Sequence, residues 1–154
     1  MPAPYSLSVL TAEGELYRTS KAEFVVLPAT EGELGVLDRH VPLVVTLGAG
    51  PLEVTEGGDA DVLFVAGGFA DISQDEEGHT HISVLADAGE HARDIDEAEA
   101  QEARRRAEEL LKQKLSAEDY AEAAAMLERS IGRVRVAELS RRRRPTRSER
   151  AMRS

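Results

Sequence analysis

"HISVLADAGEHARDIDEAEAQEARRRAEELL", residues 81–111, changes its hydrophobic period once. Up to about Ala86 the pattern is strand-like. Beyond Asp94, Ile95, Ala98, Ala103, Ala107, Leu110 and Leu111 recur at spacings near three and four, the period of a helix. Asp94 followed by Glu97 is a D-x-x-E start signal, with carboxylates facing the free N–H groups of a first turn. A second capping box, Ser116 with Asp119, opens a second stripe of Tyr120, Ala123, Ala124, Leu127, Ile131 and Val134. Two amphipathic helices joined by a short turn predict an antiparallel helical hairpin. Both stripes are rich in alanine, which buries far less than the ~1.5–3 kcal/mol of a larger aliphatic side chain. The hairpin is therefore expected to dock only marginally on whatever precedes it.

Upstream the pattern is all strand. In "YSLSVLT", Tyr5, Leu7 and Val9 share one face and Ser6 and Ser8 the other. "LYRTSKAEFVVLP", "LGVL", "PLVVTL", "GPLEVTE", "DVLFVAGGFADIS" and "HTHISVLAD" follow, separated by "TEGE", "LGAG", "EGGDAD" and "QDEEG". Short strands at such spacing, without helical inserts, predict an antiparallel sandwich or barrel. Gly67–Gly68 within a strand marks a bulge or a close backbone approach. The expected fold is α+β: a β-sandwich over 1–90, a two-helix hairpin over 91–139, and an arginine-rich, disordered tail over 140–154.

Charge divides the chain in the same three places. The net charge of −10 splits into −13 over 1–92, −3 over 93–140 and +6 over 141–154. An acidic body repels phosphate backbones, so no nucleic-acid partner is expected for the main fold. "SRRRRPTRSER" alone supports an alternative, a nucleic-acid-associated protein that binds through its tail. Cysteine is absent, which excludes disulfides and thiol chemistry and suits a reducing compartment. Neither an apolar leader nor a run of ~18 apolar residues is present, and a soluble chain is expected.

No arrangement of an acid, a base and an oxyanion site can be assembled, so a non-catalytic protein is expected. His79 and His81, two apart on a strand, could hold a metal with Glu76 or Glu77, but an exposed polar hairpin explains them more simply. His91 falls in the linker.

Three stretches in series carry a resemblance: "EGELGVLDRHVPLVVTLGAGPLEV", "FVAGGFADIS…HISVLADAGEHARDID" and "EAEAQEARRRAEELL…YAEAAAMLERSIGRVRVAEL". From about Tyr5 to Leu139 the chain resembles the epsilon subunit of the bacterial rotary F-type ATP synthase. The resemblance implies a central-stalk subunit with no catalytic residues. Its sandwich would bind the gamma subunit and the membrane ring of c subunits. Its hairpin would fold onto the sandwich or extend into the alpha/beta catalytic head and inhibit ATP hydrolysis. The place implied is the cytoplasmic face of the cell membrane, as a peripheral protein.

Residue by residue, the resemblance places Glu33 and His40, with Glu31 beside them, against polar loops of the c ring. Family members often carry Pro-Gly before this histidine; here it is Asp38-Arg39. Some members bind ATP in the folded hairpin. Glu90, Ile95, Asp96, Ala100, Arg106, Arg129 and Arg133 match those positions, but Glu99 stands where that motif has arginine. Weak or absent ATP binding is therefore expected, and no other cofactor. Arg104, Arg105, Arg106, Arg129, Arg133 and Arg135 are the cations expected to meet acidic segments of the catalytic head.

Overall fold

A computed structural model describes residues 4–142. Ten strands come first: β1 (Tyr5–Thr11), β2 (Gly14–Ala22), β3 (Phe24–Ala29), β4 (Gly32–Val36), β5 (Leu43–Thr46), β6 (Ala49–Glu56), β7 (Asp59–Ala66), β8 (Phe69–Gln74), β9 (Thr80–Leu85) and β10 (Ala88–His91). A 3-10 turn over Ala92–Asp94 leads into helices α1 (Glu97–Leu111) and α2 (Ala117–Arg142). The strands form two five-stranded sheets, ordered β2-β1-β9-β8-β5 and β10-β7-β6-β3-β4. The expected α+β architecture of sandwich and hairpin is what the chain adopts. One pairing departs from the antiparallel rule: β1 runs parallel to β9, with Ser6 opposite His81 and Leu10 opposite Leu85.

Alternation explains the space between the sheets. Leu7 and Val9, Val25 and Leu27, Leu52 and Val54, Leu63 and Val65, Ile72, and Ile82 and Val84 all point inward and are buried. The core is aliphatic apart from Tyr5, whose buried hydroxyl donates to the Val36 carbonyl at 2.5 Å. β7 is buried along its last five residues rather than at alternate ones. Val62, Phe64 and Ala66 are covered on the far side by α2, which lies over β6 and β7. The continuous apolar run "VLFVA" is thus a strand covered on both faces.

The chain crosses between sheets at Gly67–Gly68, where φ is +71° and +89°. A Cβ on Gly68 would fall 1.9 Å from the Leu85 carbonyl oxygen, so the close approach read from the glycine pair is real.

Two helix boundaries differ from expectation. α1 is capped by Asp96, whose side chain accepts from the Glu99 N–H at 3.1 Å, and Asp94 sits in the preceding turn. α2 runs through Ser140, Arg141 and Arg142, past the expected limit of 139, and Arg141 pairs there with Glu97 in the first turn of α1. The rest of the expected tail lies outside the described residues. Ser116 caps α2 as expected, accepting from the Asp119 N–H at 3.1 Å. The stripe on α2 is rotated, however: Tyr120 and Ile131 are exposed, and Ala123, Ser130, Gly132, Val134, Val136 and Ala137 are buried. None of the described helices is long and apolar enough to cross a membrane.

Candidate binding surfaces

The turn after β4 is built from the Asp38-Arg39 pair. Arg39 adopts φ +62°, a left-handed conformation unusual without glycine. Asp38 holds the turn to the β8–β9 hairpin, accepting from His79 Nδ1 and the Thr80 N–H, each at 3.0 Å. Arg39 reaches the Glu77 carbonyl at 3.4 Å. Burial alone would raise the Asp38 pKa; the bonds from Thr80, His79 and the Arg39 backbone outweigh it and hold the carboxyl below the usual carboxylate range. His79 is thereby engaged by a structural partner, and His81 lies 3.3 Å from the Ser83 hydroxyl. Among the described residues no three His, Asp or Glu side chains gather as metal ligands would.

His40 stands just past this turn. Its N–H donates to Thr80 Oγ1 at 3.0 Å, and its carbonyl accepts from Gln74 at 2.9 Å. Glu33 lies at the opposite end of β4, and Glu31 is exposed in the β3–β4 turn. The structure therefore brings His40 beside the β8–β9 hairpin, while Glu33 faces α2 and bonds Arg135 at 2.8 Å.

The two outer faces of the sandwich differ. On the first sheet, Leu10, Leu85, Phe69 and Thr46 fall in one cross-strand row. Leu85 and Phe69 remain 46% and 42% exposed, and nearby Val44 and Val41 are 64% and 68% exposed. Sequence reasoning missed this patch, although its signal was present. Leu85 and Phe69 sit at the solvent-facing phase of strands whose other phase is already core.

On the second sheet α2 makes a close seat. A Cβ on Gly132 would lie 2.9 Å from the Phe64 ring and 3.2 Å from the Ala49 backbone. Beside this seat Arg133 grips Glu90 on β10 with two bonds, 2.8 and 3.3 Å long. Ile95 is half-buried against Val62, Phe64, Ala66 and Val136, and Ala100 is fully buried. Of the residues aligned with an ATP site, Glu90 and Arg133 thus meet, and Asp96 caps α1. Arg106 stands on α1 with Glu102 and Glu109, while Arg129 borders a separate groove with Thr30, Asp87 and Glu128. Arg104 and Arg105 pair with Glu108 and Glu102 along α1.

Comparisons with known proteins agree with this architecture. The family model described as "ATP synthase, Delta/Epsilon chain, beta-sandwich domain" matches residues 4–92. That described as "ATP synthase, Delta/Epsilon chain, long alpha-helix domain" matches 93–138. ATP synthase epsilon chain 2 of Ralstonia nicotianae is 48% identical over 90% of this chain and 96% of its own length. The epsilon chain of Halorhodospira halophila is 37% identical over 89% and 94%. Among solved structures, a chain of the Euglena gracilis mitochondrial ATP synthase superposes with a TM-score of 0.74 at 22% identity. That match covers 86% of this chain and 80% of that one. With its sandwich and its helical hairpin both accounted for, the chain belongs to the ATP synthase delta/epsilon family, as an epsilon subunit of the bacterial F-type central stalk.

Proposed function

We propose that the chain is a non-catalytic rotor subunit that joins gamma to the c ring and restrains ATP hydrolysis through its hairpin. The observation that carries this reading is the contrast between the outer faces. One is an exposed apolar patch of Leu85, Phe69 and Val44, suited to a permanent partner. The other is covered by a helix on a small cluster of Val62, Phe64, Ala66 and Val136, suited to reversible release. Gamma occupies the first face, and the c ring meets the Glu31–Glu33 tip and His40. The hairpin, once released, carries its arginines to acidic segments of the alpha/beta head. The subunit then works on the cytoplasmic face of the cell membrane, as a peripheral component.

Adding the chain to catalytic complex stripped of it should lower the ATPase rate. A chain ending after Glu90 should still assemble and should leave hydrolysis fast. An equal rate with the full and shortened chains would overturn the inhibitory role.

ATP is expected to bind weakly or not at all, and so to serve at most as a weak regulatory ligand. Glu99 stands in the place of a cation, and Arg133 is already held by a carboxylate. Exchanging an attraction for a repulsion at about 4 Å costs roughly 2–8 kcal/mol across effective dielectrics of 80 to 20. Calorimetry should show no ATP binding at micromolar concentrations, and a micromolar Kd would refute this.

A further inference from the structure

Gly132, Arg133 and Arg135 lie within a single turn of α2, yet they reach three different parts of the second sheet. Gly132 rests on β6 and β7, against Ala49 and Phe64. Arg133 bonds Glu90 on β10, and Arg135 bonds Glu33 on β4. In the order β10-β7-β6-β3-β4, these last two are the opposite edge strands of the sheet.

Helix geometry explains how this is achieved. Residues two apart on a helix diverge by about 200° around its axis, so the two guanidinium groups leave on opposite sides. A five-stranded sheet spans about 19 Å from edge to edge, and a helix with its side chains about 10–12 Å. An arginine on each flank covers the remainder.

We propose that α2 is held in its docked position by an ionic bracket, Glu90–Arg133 on one edge and Glu33–Arg135 on the other, with Gly132 as the seat between them. The apolar contact below supplies holding energy but is non-directional and does little to fix the helix against sliding. It consists of Val62, Phe64, Ala66 and Val136, with Ala49, Ala92 and Ile95 at its margin. A glycine seat gives closeness but no side chain to resist sliding or rolling. The paired carboxylates supply that resistance.

The two arms are unequal. Arg133 and Glu90 are 20% and 29% exposed and doubly bonded, whereas Arg135 and Glu33 are 57% and 52% exposed with one bond. The first arm therefore dominates, and salt weakens the second more. While the hairpin is docked, Arg133 is occupied by Glu90, and Glu33 shares its exposed carboxylate with Arg135. This deepens the functional reading above by naming what keeps the hairpin down.

The absence of native cysteine permits a direct test on the isolated full chain. Val136→Cys places a nearly isosteric thiol in the closed interface, so its labelling rate reports undocking. Glu90→Gln should raise that rate about tenfold and Glu33→Gln about twofold, at low salt. Raising sodium chloride from about 0.05 to about 1 M should accelerate the parent and narrow its gap to both variants. Exchanging the charges, Glu90→Arg with Arg133→Glu, should restore slow labelling. Circular dichroism of each variant would identify one that damages the sandwich, and for such a variant Arg133→Gln replaces Glu90→Gln. Labelling unaffected by salt, or less than twofold faster in both Glu90→Gln and Arg133→Gln, would overturn the bracket. The assay uses no other subunit, so its failure leaves inhibition untouched, and a failed ATPase assay leaves the bracket measurable.

Discussion

β7 belongs to two interiors at once, and they are built differently. Leu63 and Val65 face a core of fully buried leucines, valines and isoleucines between the sheets. Val62, Phe64 and Ala66 face a thin contact with α2, in which Val136 is the fully buried side chain the helix contributes. Neighbouring residues on one strand thus serve a permanent interior and a releasable one. Burial scales with apolar area, so the side with long aliphatic residues sets global stability. The thinner side, where Val62, Phe64 and Ala66 meet Gly132 and Val136, sets only whether a helix stays in place.

That contrast can be broken first at its strong side. Ile82→Ala, in the core between the sheets, should lower global stability by about 4 kcal/mol in urea unfolding. Phe64→Ala should cost about 3 kcal/mol. That cost should fall on docking, accelerating labelling of a Val136→Cys thiol more than a hundredfold while the unfolding midpoint moves far less than for Ile82→Ala. Equal shifts in the midpoint would mean that the two interiors are one cooperative unit.

A smaller effect comes from the turn that ties β4 to the β8–β9 hairpin. The carboxyl of Asp38 is depressed, so its contribution is present above the ordinary value of about 3.9 and is lost as pH falls through its lower native value. Asp38→Asn should cost about 1–2 kcal/mol at neutral pH, with the gap to the parent closing as pH falls below the ordinary carboxylate range. A gap independent of pH would show that the carboxylate is not the source. Least of all should follow from Arg105→Ala, which breaks an exposed pair with Glu102 on α1 and should leave the unfolding midpoint unchanged.

Much of the sandwich was legible because alternation is local: Tyr5, Leu7 and Val9 point inward from their own sequence. The double cover of β7 was visible as an unbroken apolar run, but not what covered its second face. On α2 the periodicity placed Ile131 inside, whereas it is 43% exposed. The helix packs on α1 and the sheet together, and the sheet takes the face bearing Gly132 and Val136. Arg135 and Glu33 are 102 residues apart, and no local pattern signals such a pair. Asp96 took the cap expected of Asp94, since both precede acidic first-turn residues and spacing alone does not separate them.

The parallel pairing of β1 with β9 imposes an order on assembly. β1 lies inside its sheet, flanked by β2 and by a strand that begins only at Thr80. A nascent chain can form the β1–β2 hairpin early, but the middle of that sheet must wait for nearly the whole sandwich to leave the ribosome. Closing so long a loop is slow, and the unpaired edge of β1 is exposed meanwhile. Chains broken before Leu85 should therefore fail to close and should be prone to aggregate, whereas those ending a few residues later already hold every strand of that sheet.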